Sequence, residues 1–234
     1  MKITAKLILA VLVLCVAACT GSLFKSKAAP PTIYMLSVKP SSAVDGGSGG
    51  STGCVPAADC STAGRPGTSD VEIPVDLAIL KPRARTGLES DRIAVMYPDR
   101  RLDYFADARW SGTLGEVLQD LAMQEFHSHA HLHTVSGDAS VFASAYWLEI
   151  EVTDFQAEYG PGATAPTVRV HFLARIGRSG DRLILGQFEA SAQQAAAENR
   201  LTAIVDAYAH AADAAMTTLV AQAAGVLATS SEAR

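Results

Sequence analysis

Three segments late in the chain alternate apolar and polar residues and are separated only by short turns. They span residues 145–155, 167–176 and 183–192, and the turns contain glycine, proline and aspartate at 160–162 and 178–181. Alternation with a period of two predicts half-buried strands, and connections this short join antiparallel neighbours. The sequence is therefore constrained to build an antiparallel sheet from these three segments.

Two other segments repeat their apolar residues at helical spacing, at about 110–127 and 196–227. Further alternating stretches precede the first helical segment, at 32–38, 71–80, 92–97 and 101–105, and the last two are predicted to pair across the turn at 98–100. Strands, one helix, more strands and a final helix predict one α+β domain, in which two helices pack on a mostly antiparallel sheet. We expect this single domain to span residues 32–230.

The segment 41–69 is rich in glycine, serine and proline and contains Cys54 and Cys60. Such a composition buries too little apolar surface to offset the entropy of ordering it, so we predict a flexible insert. In an oxidising compartment the two cysteines are a disulfide candidate, and the short loop would contribute only about 2 kcal/mol. Two unpaired thiols are the alternative. Redox or metal chemistry is disfavoured because the CxxC spacing is absent.

The N-terminus combines Lys2 and Lys6 with an apolar run at 7–16 and ends in Val-Ala-Ala-Cys at 16–19. The run is too short to cross a hydrocarbon core of about 30 Å, which indicates a cleaved signal peptide at 1–18. The small residues before Cys19 resemble the bacterial lipobox, whose cysteine carries the lipid and becomes the first residue. The alternative is an ordinary secretory signal that leaves Cys19 as a free thiol. We expect 19–31 to form a tether.

Thr20 and Gly21 follow the cysteine. In bacterial lipoproteins an aspartate directly after the cysteine commonly causes retention in the inner membrane, and this chain has none. The expected location is therefore the periplasmic face of the outer membrane, with the covalent lipid on Cys19 as the anchor and no other cofactor. Several acyl chains on one cysteine give stable anchoring, whereas a single chain is marginal.

Short motifs in a fixed order resemble the family of ABC-type transport auxiliary lipoproteins, which includes the paraquat-inducible protein C type. They are Tyr34-Met35-Leu36, Ile73-Pro74-Val75, Asp91-Arg92-Ile93-Ala94-Val95, Leu102-Asp103-Tyr104-Phe105-Ala106-Asp107-Ala108-Arg109-Trp110, and an alanine-rich terminal helix. The resemblance implies an accessory of a lipid transport system whose inner-membrane permease and ATPase act with a protein of mammalian-cell-entry (MCE) domains. It implies docking at the outer-membrane end, and the link to ring-forming MCE proteins suggests a homo-oligomeric ring.

Four histidines alternate in the segment 127–133, at His127, His129, His131 and His133. On a strand all four would share one face, and on a helix they would form two pairs, so either geometry permits metal binding. We favour a solvated polar segment, on the expectation that no nearby cysteine or carboxylate completes a site.

No motif for catalysis is present, because the sequence has no G-x-S-x-G elbow, no phosphate-binding loop and no H-E-x-x-H. A net charge of −5 without a basic stripe disfavours a nucleic-acid partner. We therefore predict a non-enzymatic binding protein. The alternatives are an envelope-assembly lipoprotein that binds an outer-membrane protein, and a His-rich metal-binding lipoprotein.

Overall fold

The computed structural model describes residues 30–37, 73–130, 132–137 and 144–232. Residues from Thr32 onward belong to one compact unit. The predictions for the signal peptide, Cys19, the insert at 41–69 with Cys54 and Cys60, and His131 lie outside the described residues.

Within these ranges the chain forms one sheet of nine strands and two helices. The strands are β1 (Thr32–Tyr34), β2 (Ile73–Ile79), β3 (Arg83–Ala84), β4 (Arg92–Met96), β5 (Leu102–Trp110), β6 (Leu132–Gly137), β7 (Tyr146–Glu158), β8 (Thr167–Arg178) and β9 (Ile184–Ala195), and the helices are α1 (Leu114–His129) and α2 (Leu201–Glu232). The predicted α+β class is confirmed.

Strand β7 lies in the interior of the sheet and pairs with other strands along both of its edges. On one edge β8 runs antiparallel to it from Tyr146↔Arg178 to Glu158↔Thr167. On the other edge β2, β3 and β4 pair with it in parallel, one after another along its length. Most paired residues belong to the long antiparallel ladders β7–β8 and β8–β9, whereas the parallel contacts are short.

The core lies between the sheet and the two helices, and an aromatic cluster marks its centre. Trp110, Phe155 and Tyr208 are each at most 3% exposed, and their ring centroids lie 5.1–6.0 Å apart. The hydroxyl of Tyr208 donates a hydrogen bond to the carbonyl oxygen of Ala94, which gives its one polar atom a partner. Burial raises the pKa of Tyr208, so the phenol stays neutral.

Helix α2 explains much of the apolar composition of the chain. Among the described residues one stretch, Leu201–Ser231, is long and apolar enough to cross a membrane by length and composition. Its apolar side is occupied, however, because Tyr208, Met216 and Leu219 are fully buried in the protein core. The helix packs on β8 and β9 and also contacts α1.

Both helices differ from the predicted bounds. Trp110 is spaced four residues before Leu114, which suited the predicted helical pattern, but it ends β5 and pairs with Tyr34. The helix begins only after Thr113, whose amide donates to the Glu116 carboxylate at 3.0 Å. The second helix begins at Leu201, because the amide of Ala196 still donates to Pro166 as part of the ladder.

Two strands were absent from the prediction. β3 has only two residues and is recognisable only from its pairing with β7. β6 begins inside the histidine-rich segment, which the prediction treated as solvated chain, and pairs in parallel with β2. The same pairing passes over Pro74 through a register shift between Ile73 and Asp76, so the missing amide of this proline breaks no ladder bond.

The ring of Trp147 lies across Gly177, its partner on β8, and this contact provides a test of the fold. A Cβ atom at Gly177 would lie 2.4 Å from Cζ2 of Trp147. Gly177→Ala should lower the free energy of unfolding by about 1–3 kcal/mol, because the indole must move. The measurement is urea denaturation followed by tryptophan fluorescence.

Gly180→Ala is the matched control, since a Cβ there meets nothing within 4 Å. We expect its midpoint to stay close to that of the unchanged protein. Equal stabilities for Gly177→Ala and Gly180→Ala would contradict the packing described.

Candidate functional site

The face of β7, β8 and β9 that points away from the helices is here called the outer face. Pairing brings side chains of the three strands into rows, because residues opposite each other in an antiparallel ladder point to the same side. Its most prominent residues are Glu149, Glu151, Asp154, Arg169, His171, Leu173, Arg175, Gln187, Glu189 and Ser191. The opposite residues on β8, such as Val170 and Phe172, are fully buried.

Ion pairs cross this face. Glu149 accepts from Arg175 on the neighbouring strand at 2.8 Å and also pairs with Arg83 of β3. Arg169 lies 3.3 Å from Glu158. The arginines are 42–72% exposed, so each pair contributes at most about 1 kcal/mol. These contacts order the surface more than they stabilise the fold.

His171 connects β7 and β9 through its two ring nitrogens. Nδ1 lies 2.9 Å from the hydroxyl of Thr153 and 3.7 Å from Asp154. Nε2 lies 3.4 Å from Glu189, whose side chain is 73% exposed. Glu189 therefore makes one long contact and presents most of its carboxylate to solvent.

A shallow depression of about 500 Å³ lies on the outer face. Leu173 contributes an apolar side chain that is 38% exposed. The lining is made of Glu149, Glu151, Leu173, Ala174, Arg175, Gln187, Phe188 and Glu189. Glu149 is already paired with Arg175 and Arg83, so Glu151 and Glu189 are the lining carboxylates that favour a cationic group. None of these lining residues is a serine, cysteine or histidine that could serve as nucleophile or base. The depression is suited to binding.

The described histidines of the 127–133 segment are distributed over two elements. His127 lies on α1 with Nδ1 2.7 Å from the carbonyl oxygen of Met123, and His129 has Nδ1 3.0 Å from the Glu125 carboxylate. His133 lies on β6, 3.0 Å from the Asp76 carboxylate. That contact and the hydroxyl of Thr134 lower the pKa of Asp76.

Within the described residues, no group of three or more His, Cys, Asp or Glu side chains could hold a metal ion. His131 lies outside them, so the proposed four-histidine set stays a prediction.

A buried carboxylate was missed by the sequence analysis. Glu125 is completely buried at the contact between α1 and α2. Its pKa is raised, first by burial and then by a hydrogen bond and the charge of Asp213 on α2, while His129 acts in the opposite direction. The sequence did contain a signal, because Glu125 follows Leu118, Leu121 and Ala122 on the apolar stripe of the helix. A protonated Glu125 beside Asp213 avoids placing two negative charges together.

The chain belongs to the family of ABC-type transport auxiliary lipoprotein components, because the model of that family matches residues 61–224. It is therefore an auxiliary lipoprotein of the cell envelope, which confirms the family predicted from the sequence motifs. No curated protein matches the chain.

Several solved structures are similar to the chain. Protein XCC0632 from Xanthomonas campestris, of the DUF330 family, is 19% identical with a TM-score of 0.66, and the match covers 86% of this chain and 99% of that one. The hypothetical protein CT253 from Chlamydia trachomatis is 11% identical with a TM-score of 0.48, covering 67% and 99%. The PelC dodecamer from Paraburkholderia phytofirmans is 10% identical with a TM-score of 0.39, covering 63% and 87%. The first of these establishes the shared fold.

The raised pKa of Glu125 makes stability depend on pH. A carboxyl whose pKa is higher in the folded state stabilises below its unfolded pKa, and this stabilisation is lost as pH rises through the folded pKa. Glu125→Gln keeps the shape without the charge. We therefore expect the free energy of unfolding of the unchanged protein to fall relative to Glu125→Gln as pH rises above about 4.5, measured by denaturation at a series of pH values.

Asp120→Asn, on the exposed side of the same helix, is the control for losing one carboxylate from α1. A constant difference between the unchanged protein and Glu125→Gln from acidic to alkaline pH would show that Glu125 is not protonated in the fold. His129 and Asp213 are the titratable groups that act on Glu125. The same pH series measured on His129→Ala separates the effect of His129 from that of Asp213.

Proposed function

We propose that the protein is a lipid-anchored accessory of an MCE-type ABC lipid transport system, and that it faces the periplasm from the outer membrane. Its role is to bind and position the transport proteins, without catalysis of its own. The observation that carries this proposal is the match of the auxiliary lipoprotein family over residues 61–224. The lipobox-like sequence before Cys19 supports the anchor, and Thr20 after it supports export to the outer membrane.

The surface chemistry is consistent with docking. The outer face of β7–β9 is covered with ion pairs such as Arg175–Glu149, and such a face favours water or a polar partner over lipid chains. Apolar lipids need a path shielded from water, which the tunnel of an MCE protein would supply. We propose that the domain caps or positions the end of such a tunnel, and that several copies form a ring around it.

Purification of the native lipoprotein from membranes tests this function. The tagged protein is extracted with a mild detergent from outer-membrane fractions and its partners are identified by mass spectrometry. We expect an MCE-domain protein, with its permease and ATPase, to be recovered. Cys19→Ser is the control, because a chain without the lipid should lose both the membrane and most of the partner.

Recovery of an outer-membrane protein without any MCE-domain protein would overturn the proposal and favour an envelope-assembly role. Native mass spectrometry of the same preparation also reports the copy number. A monomer at high concentration would rule out the proposed ring. The docking role would then be decided by the pull-down alone.

A metal-binding role is the remaining alternative, and the described histidines give it little support, because His129 and His133 face different carboxylates. Calorimetric titration of the delipidated domain with Zn²⁺ should show no saturable binding heat. A micromolar affinity that disappears in His127→Ala combined with His131→Ala would establish the metal site instead.

A further inference from the structure

Strand β9 forms one edge of the sheet, and its backbone directions can be read from its ladder. Its register with β8 is continuous from Thr167↔Ala195 to Ile176↔Gly186. Just beyond it, the amide of Ala196 donates to Pro166 at 2.9 Å. Since backbone groups alternate in an antiparallel pair, the even-numbered residues of β9 point their N–H and C=O groups to β8 and the odd-numbered ones point them outward.

A side-chain contact agrees with this assignment. Gln222 of α2 donates from Nε2 to the carbonyl oxygen of Glu189 at 3.4 Å, so this carbonyl is turned away from β8. Among the described residues no strand pairs with the outward edge of β9. The outward backbone groups belong to Gln187, Glu189, Ser191, Gln193 and Ala195. Together they extend over about 30 Å at the usual rise of a strand.

This edge lacks the features that usually prevent strand pairing. Exposed edges are commonly protected by lysine, proline or a bulge. The stretch 186–195 reads Gly-Gln-Phe-Glu-Ala-Ser-Ala-Gln-Gln-Ala, with no lysine, arginine or proline and with Glu189 as its one charge. The pairing with β8 is also free of bulges over this stretch.

The side chains beside the edge indicate which partner fits. The Glu189 carboxylate is 73% exposed and borders the depression that also contains Glu149 and Glu151. A residue added directly opposite Glu189 would place its side chain on the same outer face, next to this carboxylate. On the helix side an ideal Cβ on Gly186 would lie 3.2 Å from Val226 of α2, so the helix packs closely against that end of the strand.

We propose that the outward edge of β9, which pairs with no other described strand, accepts an extended segment of a partner protein as an additional strand, with a lysine or arginine opposite Glu189. The added strand would take the place of the long contact between Gln222 and the Glu189 carbonyl oxygen. Backbone hydrogen bonds would supply affinity, and the charge at Glu189 would set the register. A second copy of β9 fits less well, because the stretch 186–195 contains no cation to meet Glu189. The inference rests on the proposed function only in requiring a protein partner, and it is tested without the transport complex.

The probe is a labelled nine-residue peptide of alternating threonine and valine with one central lysine, and its pair carries glutamate at the same position. Binding to the purified domain is followed by fluorescence anisotropy. We expect the lysine peptide to bind at least tenfold more tightly than the glutamate peptide. Glu189→Lys should reverse this preference.

Ser191→Pro is the decisive variant. The Ser191 amide points outward, so proline removes a donor of the outward edge without breaking the β8 ladder. We expect at least tenfold weaker peptide binding with an unchanged unfolding midpoint, whereas Ser191→Ala should bind as the unchanged protein does. Gln193→Pro provides a second variant with the same logic if Ser191→Pro fails to fold.

The proposal is overturned if the lysine peptide does not bind, if the proline variants bind it normally, or if Glu189→Lys keeps the preference for lysine. Self-association of the domain that Ser191→Pro abolishes would also overturn it, because the occupant would then be a second copy. A failed pull-down of MCE proteins combined with normal peptide binding would refute the proposed function and leave this inference intact.

Discussion

The rest of the structure depends on the pairing of β7 along both of its edges. One edge is filled by β8 over the full length of the strand, and the other is divided among β2, β3 and β4. A strand that pairs along both edges lies inside the sheet, because neighbouring strands take most of its backbone hydrogen-bonding groups. Among the described strands, the sheet therefore ends at strands farther from β7, of which β9 is the longest.

The second constraint is the burial of α2 on this sheet. Its residues Tyr208, Met216 and Leu219 are inaccessible, and they pack with the core side of the strands. A helix whose composition alone would suit a bilayer is thus used as one wall of a protein core. Because the helices take one side of β7–β9, the other side remains a hydrated surface where arginine and glutamate side chains pair.

The sequence predicts the local parts of this architecture and misses the distant ones. The alternation at 145–192 predicts β7, β8 and β9 as consecutive antiparallel strands, because short turns leave few other pairings. Nothing in a period of two reveals that β2, β3 and β4 share an edge of β7, since their partners lie far away in the chain. Trp110 was misassigned because four-residue spacing to Leu114 fits a helix as well as a strand end. The ion pairs and the raised pKa of Glu125 depend on tertiary contacts, so composition could not predict them.

The long connection between the end of β1 at Tyr34 and the start of β2 at Ile73 has a consequence for folding. Strands β7, β8 and β9 are joined by short turns, so they can form the first stable ladder from contacts that are close in sequence. β1 and β2 pair with β5 and with β6 and β7, and not with each other. Lengthening the segment between them shifts no register, and each doubling of a flexible connection adds only about 0.6 kcal/mol of closure entropy. A change in the length of this connection therefore costs the fold little closure entropy.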